Sequence, residues 1–169
     1  MIYLLDANVL IDASRDYYPI DRVPEFWDWI LGLASAGTLK VPREVYEEVS
    51  AGNDELAEWI NREEVREVLL LDESASPAAV RMAVEQGYAP DLTDDEIESL
   101  GRDPFLIAYA IVSVGNRTVV TTERSRPSRS RANRHIPDVC DTLGVPKMDT
   151  FRLIRELNFQ TGGSPSQPV

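Results

Sequence analysis

Asp6, Glu48, Asp103 and Glu123 are the residues whose types and placement suggest chemistry. Asp6 ends the apolar run Ile2–Leu5, and Glu123 ends the run "TVVTTE". Asp103 precedes Pro104 at the head of "DPFLIAYAIVSVG", and Glu48 lies one turn into "VPREVYEEV", with Glu47 beside it as a fallback. Carboxylates gathered in one crevice repel each other and raise each other's pKa. A hard cation such as Mg²⁺ or Mn²⁺ removes that penalty and prefers oxygen ligands. His135 is the only histidine and Cys140 the only cysteine. Zinc sites built on cysteine or histidine are thereby excluded, and an all-oxygen site is the common metal site that remains.

The elements that must position these acids follow from the hydrophobic pattern. "IYLLD" is apolar on both faces, as in a strand of a parallel sheet covered by helices. "TLKVP", "VREVLLLD", "TVVTTE" and "VPKMD" read as further strands, and helical segments separate them. Pro24, Pro77 and Pro104 sit at first helical positions, Thr93–Glu96 forms a capping box, and Gly144 stops a helix. Asp103 is placed to cap its helix, and Asn8 is a better cap than Asp6 for the first one. Strands alternating with helices predict an α/β fold: a three-layer α/β/α sandwich with a central, mostly parallel sheet of about five short strands. Ligands in such sheets sit beyond the carboxyl ends of the strands, where Asp6 and Glu123 both fall. Residues 1–158 are expected to form one domain and residues 159–169 a disordered tail.

The net charge of −12 is unevenly spread. Residues 44–73 carry eleven acids against two arginines, whereas residues 117–135 carry six arginines against Glu123. Such a chain is a poor general coat for nucleic acid but can grip phosphates locally. The loop bearing Arg124, Arg126, Arg129, Arg131 and Arg134 has three readings: a solvated insert, a grip on RNA phosphates, or a contact for an acidic partner. Trp27 and Trp29 cannot both face inward on one helix, so one of them is free to meet a partner or a second copy in a homodimer. No apolar run is long enough to span a membrane, no basic-then-apolar leader precedes Asp6, and the lone cysteine suits a reducing compartment. A cytoplasmic protein is expected.

Taken in order and spacing, "YLLDANVLI", "VPREVYEEV", "DPFLIAYAI" and "VVTTE" resemble the PIN domain, and "YYPIDRVPEFWDWI" and "IPDVCDTLGV" look like an uncharacterised PIN-like branch, a domain of unknown function. The resemblance covers residues 1–158. It implies a ribonuclease dependent on Mg²⁺ or Mn²⁺, with RNA as substrate, and the toxin of a toxin–antitoxin pair with a cognate antitoxin as partner. Carried over residue by residue, Asp6, Glu48, Asp103 and Glu123 match the acids that hold the metal and carry catalysis. Asn8 and Thr121 match supporting polar positions. Glu123 stands where most of the family has aspartate, so its longer arm shifts the ligand or puts a water between.

Two rivals belong to other classes. A non-catalytic PIN-like binding module would keep the fold without turnover. A phosphotransferase of the haloacid-dehalogenase type also puts Asp after its first strand, but it wants a second Asp where this chain has Asn8. His135 beside the arginines reads as a loop residue rather than as the base of a Ser–His–Asp triad.

Overall fold

Strand β1 (Ile2–Leu5) is the middle strand of a five-stranded sheet in the computed structural model, which describes residues 1–162. Its neighbours are β2 (Leu39–Pro42) and β4 (Arg117–Val120), and the edges are β3 (Leu70–Leu71) and β5 (Lys147–Met148), in the order β3-β2-β1-β4-β5. Every pairing is parallel: Ile2 pairs Arg117 and Leu5 pairs Val120 on one side, and Tyr3 pairs Leu39 on the other. Leu4, Leu5, Leu39, Val41, Val119 and Val120 are completely buried, as a sheet covered on both faces requires. The three-layer α/β/α class expected from the pattern is the fold observed.

Ten α-helices among the described residues supply the crossovers. The chain leaves β1 through α1 (Ala7–Asp12), which continues into a π-helical turn (Ala13–Tyr17), and through α2 (Pro24–Ser35). Phe26, Trp27, Ile30 and Ala34 recur at helical spacing in α2 and are buried. Beyond β2 come α3 (Arg43–Ser50), α4 (Glu55–Ile60) and α5 (Glu63–Leu69), then β3. Next are α6 (Pro77–Met82) with a second π turn (Ala83–Tyr88), α7 (Asp94–Ser99) and α8 (Asp103–Ile111), which leads into β4. After β4 a loop with one 3₁₀ turn (Arg131–Asn133) leads to α9 (Ile136–Leu143), β5 and α10 (Thr150–Glu156). None of these helices is long and apolar enough to cross a membrane.

Several local expectations are corrected. "VREVLLLD" is not a strand throughout: Val65 and Leu69, four apart, both turn inward, so the segment is helical to Leu69 and only Leu70–Leu71 pair. Strand β4 stops at Val120, before Thr121. Asp103 is the first helical residue of α8, not its cap; Arg102 holds that position. The cap position of α1 belongs to Asp6, not Asn8, although the Asp6 side chain makes no capping bond. Trp29 is partly covered within its own chain. Its indole packs on Phe159 with ring centroids 5.2 Å apart, and its Nε1–H donates to the Leu157 carbonyl at 3.4 Å. Phe159 also sits 5.4 Å from Phe26 and 5.6 Å from Tyr18, so it belongs to the folded domain and not to the tail. The remainder of the expected tail, residues 163–169, lies outside the described residues.

Candidate active site

The sheet order decides where a crevice opens. From β1 the chain crosses toward β2 on one side, and after β3 it returns to β4 on the other. The connections therefore diverge beyond the carboxyl ends of β1 and β4, the switch point at which open α/β sheets bind ligands. Asp6 follows β1 there, and Thr121 and Glu123 follow β4. The two strand ends are tied together. The Asp6 N–H donates to the Val120 carbonyl at 2.9 Å, and the Thr121 hydroxyl donates to Asp6 Oδ2 at 2.8 Å. Thr121 Oγ1 in turn accepts the Glu123 N–H at 3.1 Å. One hydroxyl thus orients the Asp6 carboxylate and bends the chain so that Glu123 follows.

Asp6 is only 4% exposed. Burial pushes its pKa up to about 6, against the pull of the Thr121 hydrogen bond, and the charges of Glu123 and Glu48 push the same way. Asp103, presented by the first turn of α8, is driven to about 8 by burial and then by Asp6, Glu123 and Glu48. Glu48 is exposed on α3 and its charge reaches both Asp6 and Asp103. Glu47 instead lines a separate pocket with Arg43, Asn61 and Arg66, so of the two neighbours Glu48 is the one turned toward the cluster. Glu123 is held by α9: its Oε2 accepts the Ile136 N–H at 2.8 Å, at the positive end of that helix. His135 Nδ1 lies 3.9 Å from the same oxygen. Asn8 is exposed on α1 and shares no hydrogen bond with these acids.

Tyr88 carries no sequence signal, because a tyrosine ending an ordinary-looking helix is usually core. It closes the second π turn, is 6% exposed, and has a buried hydroxyl without a hydrogen-bond partner among the described residues. Burial, and then the charges of Asp103, Glu123, Cys140 and Asp6, raise its pKa, so it stays protonated. Its backbone is fixed from α9. Arg134 donates to the Gly87 carbonyl, to the Asp138 carbonyl at 2.9 Å and to Thr142 Oγ1 at 2.7 Å.

The arginine loop is more fully folded than its composition suggests. Asp138 accepts from Ser125 Oγ at 2.5 Å and from the Arg126 N–H at 2.7 Å. Arg131 pairs with Glu96 and Asp91, both at 2.8 Å, and holds Glu96 down to about 2. That same Glu96 completes the expected capping box with Thr93. Arg131 and Arg134 are thus engaged inside the chain, while Arg124, Arg126 and Arg129 are exposed. Arg117, the sixth arginine of the basic stretch, is buried at the start of β4 and forks onto Glu73 at 2.6 and 2.8 Å.

Residues 3–161 match the model of a domain of unknown function, DUF4411. The chain belongs to that family. No curated protein matches it. The crevice beyond β1 and β4 is therefore a feature of a DUF4411 domain. Among the described residues of this DUF4411 chain, no three Asp, Glu, His or Cys side chains stand close enough to form a ready-made metal cage. The donor chemistry nevertheless fits a hard cation. All the candidate ligands are oxygens, the Asp6 and Asp103 carboxyls are raised by desolvation and then by neighbouring acids, and Mg²⁺ keeps several waters while binding one or two carboxylates.

Proposed function

We propose that this DUF4411 domain is a divalent-metal-dependent ribonuclease of the PIN type, cytoplasmic, and the toxin of a toxin–antitoxin pair. The observation that carries the proposal is the placement of Asp6 and Asp103 at the β1/β4 switch point, where desolvation and then the charges of Glu48 and Glu123 disfavour their ionised forms, a penalty that a cation would relieve. The resemblance of the four motifs to PIN nucleases supports the substrate class. The cytoplasmic setting is supported by Cys140, buried and pushed up to about 12, a thiol with little reactivity and no disulfide partner.

In this reading Asp6, Asp103, Glu48 and Glu123 are the residues that would hold Mg²⁺ or Mn²⁺. When bound, the ion supplies Lewis acidity toward water and toward a phosphodiester oxygen. Thr121 keeps Asp6 in one rotamer through its donated hydrogen bond. The α9 N-terminus occupies one oxygen of Glu123 and leaves the other to accept a proton from the attacking water. Burial of Asp6 lowers the dielectric around it, which would strengthen its attraction for a bound cation.

Purified protein is expected to cut single-stranded RNA with Mg²⁺ or Mn²⁺ and not with EDTA, and Asp6→Asn and Asp103→Asn are each expected to abolish cleavage. Mn²⁺ at a hundredfold excess over its Kd should stabilise the wild type by about 2.7 kcal/mol and Asp6→Asn by much less. Asp95→Asn, on the exposed first turn of α7, should respond like the wild type. Equal melting shifts in wild type and Asp6→Asn would remove Asp6 from the ligand set. A short neighbouring reading frame whose product blocks the cleavage is the expected sign of an antitoxin. The alternative is a non-catalytic binding module of the same fold. Metal binding without cleavage of any RNA selects that alternative.

A further inference from the structure

A cleft of about 670 Å³ opens beside Glu123, between the first π turn, the segment after β4 and the start of α10. It is continuous with the carboxylate crevice, because Thr121, which holds Asp6, and Glu123 both line it. Its charges balance: Asp12, Glu123 and Asp149 face Arg124, Lys147 and Arg152. Lys147 is paired with Asp141 and Arg152 with Glu156, which leaves the exposed guanidinium of Arg124. A cleft of this kind does not hold a polyanion by net charge.

Its rim offers something else. Tyr17 and Phe151 line the cleft and are 53% and 46% exposed. Among the large apolar side chains left this exposed in the described residues, they are the aromatic ones. They come from opposite ends of the sequence and meet edge to face, centroids 5.4 Å apart. An edge-to-face pair leaves ring faces uncovered, and a flat, neutral, aromatic ligand is the partner that covers them. A nucleic-acid base has that shape, and stacking on aromatic side chains is how single strands are held without sequence readout.

We propose that this cleft is a nucleobase subsite in which Tyr17 and Phe151 stack a base of single-stranded RNA while Arg124 meets the adjoining phosphate. The inference rests on the nuclease reading for its substrate: a strand whose phosphate lies at Asp6 and Glu123 places a neighbouring base in the cleft.

The test is binding of a short single-stranded RNA in Ca²⁺ buffer, read by anisotropy, with the RNA checked as intact afterwards. Tyr17→Ala and Phe151→Ala are each expected to weaken binding roughly five- to a hundredfold. Tyr17→Phe and Phe151→Trp should retain it. An abasic site stepped along the strand should cost the wild type a similar factor at one position, and at that position the alanine variants should lose nothing more. Both side chains are exposed, so unchanged melting temperatures are expected in all four variants. Alanine variants that bind like the wild type overturn the subsite. So does equal affinity for intact and abasic strands at every position, which would return the aromatic rim to a protein partner. Cleavage by the wild type in Mg²⁺ or Mn²⁺, measured alongside, separates the two readings. Cleavage together with unaffected alanine-variant binding overturns the subsite alone. Base-dependent binding without cleavage supports the subsite and overturns the nuclease.

Discussion

At the scale of single residues, Asp6 and Asp103 tie the site's electrostatics to stability. Their folded pKa values, about 6 and about 8, lie above the ordinary carboxyl value of 3.8. Between those limits these two acids bind more protons in the folded protein than in the unfolded chain, so the stability they contribute is fullest below about pH 4 and is lost as pH rises through 6 and 8. We expect metal-free melts to show that decline, amounting to a few kcal/mol at pH 8. Asp103→Asn should flatten it, and Mn²⁺ should reverse it. A metal-free protein equally stable at pH 5 and pH 8 would rule out the coupling. Tyr88→Phe removes a buried hydroxyl that has no partner, at no cost in volume. The metal-free variant should gain about 1 kcal/mol in urea titration with an unchanged slope, and a loss would mean that the hydroxyl is bonded in solution. These residues differ in how far the sequence reveals them. Asp6 is legible because an apolar strand ends on it. The choice between Glu47 and Glu48 is not legible, since neighbouring helical residues diverge by about 100° and only the placement of α3 decides which one meets the crevice. Tyr88 is illegible because its meaning lies in the charges around it.

At the scale of elements, both π turns end on a tyrosine that borders the crevice region: Tyr17 at the cleft and Tyr88 among the carboxylates. The pattern shows the helices but not the turns, because an inserted residue in a helix leaves the apolar spacing nearly intact. The third strand reads too long in the sequence because "VLLL" is rich in strand formers, and tertiary packing of Val65 and Leu69 overrides propensity. One contact links these elements. A Cβ on Gly87 would lie 2.6 Å from Val139 Cγ1 and 3.1 Å from Leu143 Cδ1, so α9 approaches the second π turn only because the residue is glycine. Gly87→Ala should cost about 1–3 kcal/mol by thermal or urea unfolding. The control is Gly32→Ala in α2, where nothing lies within 4 Å. It should gain up to about 1 kcal/mol from helix propensity. Equal effects at the two sites would mean that α9 shifts freely.

At the scale of the whole molecule, the fold class was legible from alternating strands and helices, but the distribution of positive charge was not. Six arginines in one stretch look like a single basic patch, yet Arg117, Arg131 and Arg134 are committed to Glu73, Glu96 and Asp91, and backbone carbonyls. For RNA binding under the proposed function, Arg126→Gln with Arg129→Gln should therefore flatten the dependence of log K on log salt, by about 0.7 for each phosphate no longer neutralised. Arg131→Gln should leave that slope unchanged, and a large change there would show that its ion pairs open on binding. The hydrogen bond from Thr121 to Asp6 spans 115 residues. During synthesis β1 emerges before either of its sheet neighbours. Asp6 then waits while more than a hundred residues are added before Thr121 reaches it, and Glu123 is not seated until Ile136 has followed. Local helices form early, but this pairing is among the last to close. No fragment that stops short of α9 contains an assembled site, so a ribosome that stalls before α9 leaves the crevice incomplete, and Asp6 and Glu123 are both seated only once the head of α9 has been made.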